Sequence, residues 1–237
     1  MRAFLLFLCV GCGSNSVVPG DAGDSGSDAA QSVDSSVVRR DDAGMPLDRF
    51  VTKVIAFMPG DCAGFGASSM PDIVFGPPVG AGDRMGGLDV VSLGVGGTIT
   101  LGFEPRAIVD GPGPDFIVFE NAFFIAGDPM QPFAEPGEVS VSDDGMTWKT
   151  YPCTAMQPPY GACSGWKPVY SNPQNGISPF DPAKAGGEAY DLADVGLTHA
   201  RYVRIRDMGY EMCPADPSKK TTTMGYDLDA IAIVNAQ

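Results

Sequence analysis

The stretch VSVSDDGMTWKTYP, residues 139–152, decides how this chain is read. Val139 and Val141 alternate with Ser140 and Ser142, the period of a half-buried strand, and the alternation stops at Asp143-Asp144-Gly145 before restarting around Trp148. Asp-Gly is a strong local hairpin signal, so the acidic trio reads as a bend. A lone turn offers a cation too few fixed oxygens to be a metal loop. Trp148, on the returning strand, is expected to pack into the core.

Outward from this hairpin the same grammar repeats. VTKVIAF, DVVSLG, TITLGF, DFIVFENAF, RYVRIR and LDAIAIV are short apolar or alternating runs separated by turns rich in glycine and proline. No long window holds a helical period free of those two residues. Many short strands in about 190 residues predict a single all-β domain over 49–237, an antiparallel β-sandwich or jelly roll.

What precedes the domain is different. Residues 1–12, MRAFLLFLCVGC, hold one arginine and a short apolar run, too short to cross a bilayer and suited to a signal peptide. Gly11-Cys12-Gly13-Ser14 resembles a bacterial lipobox, which implies lipidation at Cys12 and a place in the cell envelope as an outer-membrane lipoprotein. The lipid is then the protein's hold on a membrane. Residues 13–48 are rich in Gly, Ser, Asp and Ala and contain no aromatic side chain, so they read as a disordered tether.

The formal net charge of −14 argues against a nucleic-acid partner, because phosphate neutralisation requires a basic surface. Beyond the leader, four cysteines remain, and in an exported chain an even number reads as disulfides with three pairings open. The short spacing favours Cys153 with Cys163, which leaves Cys62 with Cys213. No C-x-x-C spacing is present to suggest a zinc knuckle.

Three segments taken in order, TITLGFEPRAIVD, EVSVSDDGMTWKTYP and ARYVRIR, resemble those of discoidin domains, the coagulation-factor type C relatives of the galactose-binding-like fold. Val141, Ser142, Asp144, Gly145 and Trp148 match the second motif, and Ala200 to Ile205 the third. The wider pattern, through GPGPDFIVFENAF and GYDLDAIAIVN, is similar to a group of bacterial cell-surface lipoproteins of undefined biochemistry. The resemblance implies an exported binding or structural module and supplies no ligand.

Candidate chemistry is sparse. The lone histidine, His199, has no nucleophile elbow to serve, so a hydrolytic triad is disfavoured. Asp227 and Asp229 in YDLDAIAIV alternate onto one strand face that Ile231 and Ile233 continue. Carboxylates on a face that becomes core need a partner, which is either loop amides that they cap or a structural calcium, the candidate cofactor, with Asp191 and Asp194 in YDLAD as weaker candidates. Glu120 and Asn121, beside phenylalanines in FENAF, and Trp166 and Tyr170, in the proline-rich loop after Cys153, are the candidate ligand-binding residues. The function expected is a non-catalytic surface binding or adhesion module for a glycan or another envelope component. The alternatives are a glycoside hydrolase using a pair among Glu120, Glu135, Asp191 and Asp207, and a purely structural subunit of a surface assembly.

Overall fold

The computed structural model of the chain describes residues 44–154, 157–209 and 212–237. The leader at 1–12, the expected lipidation site Cys12 and tether residues 13–43 lie outside the described residues.

Among the described residues thirteen strands follow one another: β1 (Lys53–Met58), β2 (Val91–Ser92), β3 (Thr98–Gly102), β4 (Ile108–Val109), β5 (Phe116–Glu120), β6 (Phe123–Phe124), β7 (Pro132–Phe133), β8 (Gly137–Ser142), β9 (Lys149–Thr150), β10 (Glu188–Tyr190), β11 (His199–Ala200), β12 (Tyr202–Asp207) and β13 (Asp227–Ile233). Helical structure among the described residues is confined to 3-10 turns of three or four residues. The chain is all-β, and its strands pair antiparallel. A five-stranded sheet runs β1-β3-β12-β8-β9 and a four-stranded sheet β10-β5-β13-β2, with two small ribbons, β11-β4 and β6-β7, at their margins.

Alternation builds the first sheet. Val203 pairs with Leu101 on one side and Val141 on the other, and Ile205 pairs with Ile99 and Val139, so six apolar side chains form a continuous patch. All six are fully buried against Phe116, Val118, Leu228, Ile231 and Ile233 of the second sheet, which closes a β-sandwich around one core. Burying each such side chain contributes about 1.5–3 kcal/mol.

The second sheet is covered on both faces, which is why DFIVFE does not alternate. Phe116 and Val118 face the sandwich core, while Ile117 and Phe119 face a second cluster with Phe50, Val169, Ala185, Ala230 and Ala232. Met45 and Leu47 pack on that outer cluster, and Asp48 pairs with Arg106 at 2.7 Å. The folded unit therefore begins before residue 49, because the last residues of the compositionally thin segment carry apolar side chains that find a surface.

Both expected disulfides are present, Cys62 with Cys213 and Cys153 with Cys163. The 139–152 hairpin is also present, with Val141 opposite Lys149 and Ser140 opposite Thr150. Its connection is longer than a two-residue turn and is organised by Asp144. That carboxylate accepts from the Met146 and Thr147 amides and from the Ser142 hydroxyl, and Gly145 supplies the left-handed φ of +74°.

Trp148 departs from expectation. It is not in the core; its ring lies on the outer face of the five-stranded sheet, 3.7 Å beneath the Arg204 guanidinium, with its indole N–H donated to the Gly145 carbonyl. The long loop consumes the residues that would have kept the strand alternation in phase, so the tryptophan emerges on the solvent side.

Candidate functional site

β5 and β13 run antiparallel with Ile233 opposite Phe116 and Leu228 opposite Glu120, so Glu120, Asn121, Asp227 and Asp229 gather at one end of the four-stranded sheet. A β-bulge between Leu228 and Ala230 sets how they face. Leu228, Ile231 and Ile233 belong to the sandwich core, whereas Ala230 and Ala232 belong to the outer cluster. The bulge inserts one residue into the alternation. The expectation that Ile231 and Ile233 continue the face of the two aspartates is thereby corrected: those isoleucines share the Leu228 face.

Asp229, the bulged residue, lies under the loop that precedes β2. Both its oxygens accept the Val79 backbone N–H, at 3.2 and 3.1 Å. Burial pushes its carboxyl well above the usual carboxylate range; the Val79 amide opposes this and Asp89 adds to it. Asn121 is held by close backbone approach, since a Cβ on Gly86 would stand 2.4 Å from Asn121 Oδ1. The Asn121 amide also donates to Asp227 Oδ2 at 3.4 Å. A small cavity of about 10 Å³ lies here, lined by Glu120, Asn121, Asp229, Val169 and residues 79–82.

Glu120 is 2% exposed, and its Oε1 accepts the Asp227 amide at 3.3 Å. Its Oε2, like Asn121 Oδ1, is buried with no hydrogen-bond partner among the described residues. Burial first, then repulsion from Glu135, Asp227 and Glu188, raises the Glu120 pKa well above its ordinary value.

Three other buried acids are saturated. Glu188 accepts the Gly165, Trp166 and Lys167 amides and the Ser164 hydroxyl. Asp207 accepts the Gly96, Gly209 and Tyr226 amides. Asp115 accepts the Gly111 and Leu192 amides and the Asn235 side chain. These carboxylates pin loops to the sandwich.

Asp191 is not part of the Asp227–Asp229 group. It caps the 3-10 turn Leu192–Val195 through the Ala193 amide, beside the start of β5, where its carboxylate lies within 4.8 Å of those of Asp110 and Asp115. Trp166 staples the disulfide loop: its ring packs 5.9 Å from Tyr160 and its N–H donates to the Cys163 carbonyl. Tyr170 is part-exposed on a segment whose neighbours, Val169 and Ser171, bond Gly82 and Gly80 of the cavity wall. Trp166 and Tyr170 do not line the Glu120 cavity.

The opposite end of the sandwich holds an open groove of about 610 Å³ that the sequence did not announce. Gly102 at the end of β3 pairs with Tyr202 at the start of β12, which brings the EPRA and HARY segments together. Glu104, Arg106, Asp143, His199, Arg201 and Tyr202 line it. Arg201 lies 3.6 Å from Asp143, and His199 Nε2 is 3.3 Å from the Gln237 side-chain oxygen. None of Glu120, Glu135, Asp191 and Asp207 lines this groove.

No protein-family model and no curated protein matches the chain.

Proposed function

We propose that the chain is an exported, lipid-anchored, non-catalytic surface binding module of discoidin or galactose-binding-like type, whose ligand is a glycan or another polymer of the cell envelope. The groove at the β3–β12 end is the observation that carries this reading. Its volume of about 610 Å³ falls within the range of small-ligand sites. Two guanidiniums, an imidazole and two carboxylates offer both donors and acceptors, which suits a hydroxyl-rich ligand, and the Tyr202 ring adds an apolar edge. The two disulfides favour a compartment outside the cytoplasm, in keeping with a lipoprotein leader.

The test is an array of envelope polysaccharides probed with the full chain and with Arg201→Ala and Tyr202→Ala. Binding by the parent chain that drops at least tenfold in the folded variants supports the reading, and no binding to any polymer contradicts it. Cys12→Ser is expected to release the protein from the membrane fraction.

A further inference from the structure

We propose that a single hard divalent cation of the calcium class binds where β5 meets β13, held by Glu120 and Asn121 with the carboxylates of Asp227 and Asp229 beside them. Four observations converge on this place.

Glu120 Oε2 and Asn121 Oδ1 are adjacent in sequence, both buried, and both without a hydrogen-bond partner among the described residues. Buried oxygens are rarely left so, and in this same chain Glu188, Asp207 and Asp115 each accept three or more donors. Asp48 Oδ1 is another such oxygen, but its carboxylate is already paired with Arg106 through Oδ2, whereas Glu120 and Asn121 bring two side by side with no cation paired to them among the described residues.

Neither Glu120 nor Asp229 forms an ion pair with a lysine or arginine among the described residues. Burial and mutual repulsion oppose the charged form of Glu120, so a compensating positive charge has a large effect there.

The cavity lined by Glu120, Asn121 and Asp229, about 10 Å³, has room for about one water-sized particle and no organic ligand. Its polar side chains, Glu120, Asn121 and Asp229, each offer an oxygen acceptor, and no histidine or cysteine is among the lining residues. A set of carboxylate and amide oxygens in irregular arrangement suits calcium, whereas magnesium asks for a strict octahedron and keeps several waters.

The loop that closes the cavity is built for close approach. Val79 caps Asp229, and Gly86 lies against Asn121 with no space for a side chain. The Asp110, Asp115 and Asp191 carboxylates form the rival cluster at the other end of β5. Asp115 there is already saturated by donors, so that cluster leaves no oxygen unmet in the same way.

The experiment uses the full chain stripped with chelator, followed by calcium titration in a calorimeter and by thermal melts. One equivalent of calcium is expected to bind, and at a hundredfold excess over Kd the midpoint rises by roughly 5 °C or more. Glu120→Gln and Asn121→Ala weaken calcium binding at least tenfold, while Asp191→Asn leaves it unchanged. Two variants are used so that misfolding of one does not decide the matter. Absence of binding heat together with an unchanged midpoint overturns the proposal. Calcium binding that survives Glu120→Gln and disappears in Asp191→Asn overturns it in favour of the rival cluster. Polysaccharide binding in the distant groove is scored separately, so either result stands without the other.

Discussion

The Asp227 backbone N–H donates to Glu120 Oε1 at 3.3 Å, one residue before Leu228 takes its place opposite Glu120 in the β5–β13 ladder. The carboxylate is therefore fixed at the mouth of the sheet by the same pairing that builds the sheet. Asn121, next in the chain, is fixed by the Gly86 backbone. Gly86→Ala would place a methyl 2.4 Å from Asn121 Oδ1, so the amide must move. A loss of about 1–3 kcal/mol in denaturant unfolding is expected, accompanied by weaker calcium binding.

Asp144 gives a pH prediction. Its folded pKa is lowered to about 2 by the Thr147 and Met146 amides, against an ordinary 3.8. A depressed carboxylate contributes stability above its unfolded pKa and loses that contribution as the pH falls through the folded value. Asp144→Ala should therefore lower the melting midpoint at pH 7, and its gap to the parent should close between about pH 4 and pH 2. A gap that stays constant across that window would show that the amides do not act through the charge.

The two disulfides should contribute unequally. Cys62 and Cys213 are 151 residues apart, whereas Cys153 and Cys163 are separated by 10. Loop-closure entropy assigns about 5 kcal/mol to the long link and about 3 kcal/mol to the short one. Serine replacement of each pair, compared by urea unfolding, is expected to show the long link as the costlier loss.

Trp148→Ala separates a surface tryptophan from a core one. The ring's contacts are the Arg204 guanidinium and a bond to the Gly145 carbonyl, so a loss of about 1 kcal/mol is expected. A core tryptophan would cost about 3–5 kcal/mol, and a value in that range would return Trp148 to the interior.

Where one sheet face is half covered, the fold is legible residue by residue. Thr98–Leu101, Val139–Ser142 and Tyr202–Ile205 alternate because their inward side chains meet the same core, and the predicted strands stand where the alternation lies. Glu120, Asn121 and the aspartates of β13 were visible as polar residues inside apolar runs. Their orientation was not, because the bulge at Leu228–Ala230 is imposed by pairing with β5 and by the Val79 amide, both remote in sequence. The groove was hidden for a similar reason. EPRA and HARY are about a hundred residues apart, and only the β3–β12 register makes them neighbours. Trp148 was misplaced because a loop's length, unlike a strand's period, leaves no mark in the alternation around it.

The central claim is that this sandwich is a binding module with its ligand in the β3–β12 groove. The most direct measurement is NMR perturbation mapping of the isotope-labelled protein with soluble envelope polysaccharide fragments. Shifts concentrated at Glu104, Arg106, Asp143, His199, Arg201 and Tyr202 are the predicted result. Saturating fragments that leave these six residues unmoved, or that shift only residues elsewhere on the surface, would contradict it.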